Sequence, residues 1–286
     1  MKYFDLFNHL KNLENYEDDE IIIDDQTVLR NFDFTSQHKD LLPGSSPNED
    51  NYEFASVDID NETEPDFIQQ MLNKQDDEIL ENLKFRYHTM SPRDGKKAKG
   101  IIFMFHGFNE KHWIKYLPWA KYIVDQTGKT VVFFPIAFHM NRAPGTWSDI
   151  RKMYDIAQQR KERHPDIIYS TLSNVAISTR LHNKPQRFIW SGLQTYYDVI
   201  DFIEYVKTGQ HPIIEQDATI DILSYSIGTF LAEILMMTNY NGYFDKSRLA
   251  SFCGGAVFNR LSPVSKFILD SEANVSLYSY IVEHIE

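Results

Sequence analysis

From about residue 83 the chain alternates short apolar runs with longer stretches of helical period. Leu83 to Met90 alternates apolar and polar positions as a strand does, and Ser91-Pro92-Arg93-Asp94-Gly95 has turn chemistry. Gly100-Ile101-Ile102-Phe103-Met104-Phe105 is a continuous apolar run, the pattern of a strand buried on both faces of a parallel sheet. The polar loop His106-Gly107-Phe108-Asn109-Glu110 follows it. Between Tyr116 and Gln126, Leu117, Ala120, Ile123 and Val124 fall on one helical face, and Gly128 closes the helix. Thr130 to Ile136 is the next buried strand. The stretch from Ala137 to about Leu193 reads as irregular, broken at Pro144-Gly145, His164-Pro165 and Lys184-Pro185. Thr195 to Lys207 is an amphipathic helix ended by Thr208-Gly209. Ile220 to Ser224 is a short strand, and Gly228 to Met237 is a helix apolar nearly all round. Leu249 to Phe252 is a further strand, leading into Gly254-Gly255-Ala256.

This alternation predicts an α/β fold, a mostly parallel sheet with helices on both faces. The main domain runs over 81–286, with an insertion or cap over about 138–193, between the strand at Thr130–Ile136 and the helix that follows. Residues 1–80 read as an acidic N-terminal extension, partly helical and partly irregular. Its apolar patches, Ile21-Ile22-Ile23 and Phe67-Ile68, allow packing on the main domain, and its charge allows a flexible arm. Leu41-Leu42-Pro43-Gly44-Ser45-Ser46-Pro47 has loop chemistry.

Charge sharpens that division. Residues 1–80 hold 21 Asp and Glu against five Lys and Arg, a balance of −16, so the remainder of this −12 chain carries +4. Such a surface repels phosphate backbones and anionic lipid, which argues against nucleic acid as a partner. The apolar runs are too short to span a bilayer, so no stable membrane insertion is expected. With one cysteine, Cys253, no intramolecular disulfide can form and no metal cluster can be built on it. No apolar leader follows Met1, and the expected compartment is the cytoplasm. No glycine-rich phosphate loop is present, and no cofactor is implied. His106 and His112 with Glu110 lack the spacing that sets two imidazoles on one helix face, so they read as loop and helix-start residues rather than metal ligands.

The chemistry concentrates at Ser224-Tyr225-Ser226-Ile227-Gly228. A serine hydroxyl is a poor nucleophile until a base takes its proton and a fixed geometry presents it. A sharp strand-to-helix turn presents it that way, and such a turn needs small residues two before and two after the serine. Ser224 and Gly228 are those residues, with Asp221-Ile222-Leu223 as the strand and Thr229 to Met237 as the buried helix. The other reading of the same residues is an ordinary strand–helix turn whose serine caps the helix.

With the apolar strand Ile101–Phe105 ending in His106-Gly107-Phe108, residues 83–258 resemble an α/β-hydrolase, an uncharacterised branch rather than a named esterase. The resemblance implies an oxyanion hole made by the backbone N–H groups of Phe108 and Ile227, with Ser226 as nucleophile. It also implies a substrate-binding group of His106, Gly107 and Tyr225, the imidazole of His106 serving chiefly to shape the loop. Its usual departure here is Ser224, where the family has glycine. His139, Arg142 and Trp147 follow the Thr130–Ile136 strand and either line the substrate pocket or serve as loop residues. Tyr196, Tyr197, Ile200, Ile203 and Tyr205 read as helix packing.

The family order places an acid and then a histidine after the serine. His284 is the histidine that follows Ser226, and Asp270 and Glu272 are the acids placed where the carboxylate could sit. Neither acid stands at a recognisable strand end. Two further strand–helix units are expected after Phe258, and Asn259 to Glu286 instead has helix-like spacing at Phe267, Ile268, Leu277, Ile281 and Val282. The expectation is therefore a C-terminally truncated hydrolase, or one that keeps the fold for binding. The expected activity is acylation of Ser226 by a small-molecule ester or thioester, with the insertion as a lid over an apolar acyl pocket.

Overall fold

In the computed structural model, which describes residues 2–42, 72, 74–254 and 260–284, seven strands join in one mixed sheet. They are β1 (Glu20–Ile22), β2 (Thr27–Thr35), β3 (Lys84–Pro92), β4 (Ala98–Phe105), β5 (Thr130–Phe133), β6 (Ile214–Tyr225) and β7 (Leu249–Phe252), in spatial order β1-β2-β3-β5-β4-β6-β7. The four strands β5, β4, β6 and β7 are mutually parallel. The pairings β1–β2, β2–β3 and β3–β5 are antiparallel. The expected mostly parallel sheet is thus parallel in the half that follows β3 and antiparallel in the half before it.

The helices are α1 (Tyr3–Leu10), α2 (Leu80–Leu83), α3 (Leu117–Thr127), α4 (Ile150–Arg163), α5 (Val175–Asn183), α6 (Arg187–Lys207), α7 (Ile227–Thr238) and α8 (Ser271–His284). The described chain divides into two compact units. The first takes Met1–Ser36, Lys84–Arg142 and Thr195–Gly255, and so holds the whole sheet. The second takes Gln37–Leu83, Ala143–Gln194 and Ala256–Glu286.

In the first unit the period of two along each strand sorts side chains onto two faces. Phe103 and Phe105 of β4 and Val132 of β5 join one buried cluster with Val199, Phe202 and Ile203 of α6 and Leu231, Ala232 and Leu235 of α7. Met104, Val131 and Phe133 join the other, with Leu10 of α1 and Leu117, Ala120 and Val124 of α3. Helices therefore cover both faces, as the continuous apolar runs required. α3 stops where expected, because Gly128 adopts φ 65° and its N–H bonds the Val124 carbonyl.

Residues 20–35 depart from the expected extension. β1 and β2 belong to the same sheet as β3 to β7, and β2 pairs with β3 along nine registered positions from Thr27–Pro92 to Thr35–Lys84. The supposedly irregular 137–193 stretch also holds α4 and α5, and α6 begins at Arg187 rather than Thr195.

The second unit is held by buried ion pairs. Asp76, fully buried, meets the guanidinium groups of Arg180 and Arg187, and Arg160 of α4 reaches Asp270 at 2.6 Å just before α8. Asn174 donates to the carbonyls of Tyr169 and Ser265, tying the start of α5 to the segment before α8. Phe67-Ile68, Pro43 to Pro47 and the small residues Gly255-Ala256 lie outside the described residues. Among the described residues no helix is long and apolar enough to cross a membrane.

Candidate functional site

β4 and β6 are parallel neighbours, and the helices that follow them leave in opposite directions. α3, after β4, packs with the Met104 face, whereas α7, after β6, packs with the Phe103 face. This is a topological switch point, where the loops at the carboxyl ends of adjacent strands part and leave a crevice for a ligand. The two loops concerned begin at His106 and at Ser226.

Ser226 has φ 53° and ψ −121°, a conformation that glycine enters easily and a side chain bearing a Cβ does not. The surroundings hold it there. Its N–H donates to the Phe252 carbonyl of β7 at 3.0 Å, and its own carbonyl accepts from Thr229 N–H at 2.9 Å. The small flanking residues have visible causes. A Cβ on Gly228 would stand 2.7 Å from the His106 carbonyl oxygen and 2.8 Å from Phe105 Cβ, so only glycine lets α7 abut the end of β4. Ser224 is buried, with its Oγ 3.0 Å from Thr229 Oγ1, and Gly254, two residues past the end of β7, gives way to the same threonine. The Ser226 side chain makes no capping hydrogen bond to the first turn of α7. The helix-cap reading of this serine therefore has no geometric support.

The loop after β4 is clamped from several sides. Ile136 N–H donates to Nε2 of the fully buried His106 at 2.9 Å, and His106 Nδ1 donates to the Gly107 carbonyl at 2.7 Å. Burial, with His139 and the cations Lys115 and Arg142 nearby, holds this imidazole well below its usual range and so neutral. Both nitrogens of His106 bond backbone groups, which makes the imidazole a fixture of the loop. Gly107 N–H donates to the Tyr116 hydroxyl at 2.9 Å. A Cβ on Gly107 would lie 2.9 Å from the Tyr225 ring and 3.2 Å from Glu110 Oε1, so glycine is again the residue that fits. Glu110 pairs with Lys115, whose ammonium lies 4.1 Å from the Tyr225 ring centroid. Tyr225 also packs against Trp119 and Phe252.

Ile227 opens α7, where a helix leaves its N–H groups without intrahelical acceptors. Phe108 contributes its ring to an edge-on contact with His139 at 5.4 Å. His139 itself is buried, with Nδ1 on the Ala137 carbonyl at 2.9 Å and Nε2 without a hydrogen-bond partner. Its neighbours Phe138 and Met140 both take positive φ, and burial pushes its pKa down to about 4. Arg142 pairs with Asp198 at 2.8 Å, both fully buried.

The other expected site residues fall in the second unit. Trp147 is buried there beneath the Arg180 guanidinium, which lies 4.5 Å from its ring centroid. Asp270 is committed to Arg160 and to the Ala273 N–H that begins α8, so its carboxylate serves an ion pair and a helix cap rather than a triad. Glu272 stands 3.9 Å from His164. His284, in the last turn of α8, is exposed, with Nδ1 on the Tyr280 carbonyl. Among the described residues no group of three or more His, Cys, Asp or Glu gathers as a metal ion would require.

Tyr116 and Thr229 hold the site yet carry no mark in the residue order. Tyr116 reads as the start of α3 and Thr229 as part of the first turn of α7, and the order of residues does not show which group each will meet.

Among the solved structures similar to the chain are two esterases. One is a cold-adapted esterase from an Arctic intertidal metagenomic library, at 9% identity and a TM-score of 0.37, covering 82% of this chain and 64% of that one. The other, from Bacteroides fragilis, is described as a candidate acetyl xylan esterase, at 12% identity and a TM-score of 0.38, covering 82% of this chain and 49% of that one. The chain thus spans less than two thirds of either. No protein of curated function matches it in sequence. One family model matches residues 1–286 throughout, and the chain belongs to that family, DUF6051, a family of unknown function.

Proposed function

We propose that the first unit is an α/β-hydrolase-type domain that cleaves a small-molecule ester or thioester through acylation of Ser226. The observation that carries this reading is the backbone of Ser226, held at φ 53° and ψ −121° between a parallel strand and a helix, with no capping bond to explain it. Strain of this kind persists only where the surroundings enforce it, and it clusters at functional sites. In the proposed step the Ser226 hydroxyl oxygen bonds the carbonyl carbon while its proton passes to a base. The carbonyl π electrons move onto oxygen, where the N–H groups of Phe108 and Ile227 and the positive end of α7 meet the charge. Collapse expels the alcohol or thiol, which takes the proton, and water then hydrolyses the acyl-serine.

A second reading, a hydrolase-like binding protein without turnover, is favoured by one observation. Among the described residues no histidine hydrogen-bonds the Ser226 hydroxyl, although such bonds often tighten only when substrate is bound. A fluorophosphonate probe applied to the full chain separates the two. Covalent labelling that disappears in Ser226→Ala is the expected result. A wild-type chain that stays unlabelled, while p-nitrophenyl and thioester substrates remain intact, leaves the binding reading.

A further inference from the structure

The two edges of the sheet are built differently. An edge strand presents unpaired N–H and C=O groups that another chain can join, and proteins blunt it with shortness, charge, proline or a bulge. β1 fits that rule: it has three residues, includes Glu20, and lies between Asp18-Asp19 and Asp24-Asp25. β7, at the other edge, reads Leu249-Ala250-Ser251-Phe252, with no charge, proline or register shift. Ala250 and Ser251 are exposed, and the Phe252 ring stands 52% exposed beside them. The pairing with β6 decides which backbone groups are left over. Arg248 C=O accepts from Ile222 N–H at 2.9 Å, and Phe252 C=O accepts from Ser226 N–H at 3.0 Å. Successive residues of a strand turn their backbone groups to opposite sides, so the N–H and C=O of Leu249 and Ser251 point away from β6. Among the described residues nothing pairs with them.

We propose that β7 pairs with β7 of a second copy of this chain, antiparallel about a two-fold axis at Ala250, so that two sheets become one. That axis sets Leu249 opposite Ser251 of the second copy, and Ser251 opposite its Leu249. Each of these pairs exchanges both N–H···O=C bonds, using the groups that β6 leaves over. An isologous contact demands a patch that complements itself, and β7 offers one. Alanine meets alanine on the axis, at a pair whose side chains come close and where like charges would repel. On the same face Arg248 comes opposite Phe252 of the second copy, once at each end. The Arg248 side chain is 83% exposed and reaches Asp221 at 3.6 Å, which leaves its guanidinium able to lie over that ring. Beside Phe252 the apolar surface continues onto α3, where Trp119 meets the Phe252 ring and Tyr122, one turn on, is 66% exposed. The carboxylates around β1 lie across the whole sheet, about 29 Å away by strand spacing, well beyond a screening length of about 8 Å. The pairing does not depend on what Ser226 does. It does brace the strand whose Phe252 carbonyl holds the Ser226 N–H.

Sedimentation equilibrium on the full chain is expected to give twice the chain mass at micromolar concentration. Ala250→Lys sets two ammonium groups face to face on the axis and is expected to raise the dissociation constant at least about 100-fold. Ala250 is exposed on an edge strand, where lysine is well tolerated, and far-UV circular dichroism checks that the variant folds. Cross-linking reads the register independently of that variant. In a Cys253→Ser background, which removes the chain's one cysteine, Ala250→Cys brings the two thiols within disulfide reach, since their Cα atoms stand about 4.5 Å apart. Phe252→Cys leaves its two thiols about 13 Å apart along the strands. Oxidation is therefore expected to join the first variant into a covalent dimer and to leave the second unjoined. A wild type that stays monomeric overturns the proposal and leaves the edge to a strand of other sequence. A dimer that neither weakens in Ala250→Lys nor cross-links at Ala250→Cys overturns it too, because the contact then lies on another face.

Discussion

Ser226 holds a backbone conformation in which its Cβ is a burden, and glycine carries no such burden. Ser226→Gly is therefore expected to stabilise the first unit by about 1–3 kcal/mol, the usual size of such strain, while abolishing any acylation. Urea midpoints of the two proteins check this, and a destabilised glycine variant would show that the serine side chain contributes packing that outweighs the strain. Residues of this kind were partly legible. Ser224, Ser226 and Gly228 announce themselves by spacing, because a tight turn excludes bulk locally. Tyr116 and Thr229 do not, since nothing in the spacing says that the one will meet the Gly107 N–H and the other the Ser224 hydroxyl. His106 was legible as the end of a strand. That its proton lies on Nδ1 follows only from Ile136, which arrives with the next strand.

Among the elements, β4 and α3 match their patterns closely, because the one buries a nearly continuous run and the other a helical stripe, and β7 falls where expected although its residues are largely exposed. β2 was missed even though Phe32 and Phe34 alternate with Asn31 and Asp33, since the acidic residues around it give the whole region the composition of a solvated arm. α4 was missed for a related reason. Its buried face is the narrow stripe Met153, Ile156, Ala157 and Arg160, and the fourth member is a cation. That cation is what holds the element, through the buried pair with Asp270. Asp270→Ala strands Arg160 without its partner and uncaps α8, so it is expected to cost about 3–5 kcal/mol for the pair and about 1 kcal/mol for the cap. Denaturation followed at Trp147 and Trp190, both in the second unit, would report it. A loss below about 1 kcal/mol would show that the guanidinium finds water instead.

Over the whole molecule, the buried histidines of the first unit link stability to pH. Burial lowers His139 to about 4, His211 to about 4 and His88 to about 3, the last aided by Arg86. In an unfolded chain each titrates near 6.5, so above that pH both states are neutral and the full stability is present. As pH falls from about 6.5 towards 4 the unfolded chain takes up protons that the folded unit refuses. Stability then declines by about 1.4 kcal/mol per pH unit for each histidine that is fully coupled. The urea midpoint is expected to drop steeply between pH 6.5 and 4.5, and a flat profile across that window would contradict the burial of these rings.

The strand order also has a bearing on synthesis. β4 lies at the centre of the parallel half, yet its partner β6 is encoded far downstream, Gly100 pairing with Thr219. At the usual elongation rate of about 5–20 residues per second, β4 waits on the order of ten seconds with one apolar edge unpaired. β1, β2 and β3 face no such delay once residue 92 has emerged, since β2 pairs with β3 and β1 pairs with β2. The nascent chain therefore carries a finished antiparallel half beside an open seam, and that seam closes only when the segment delivering Ser226 leaves the ribosome.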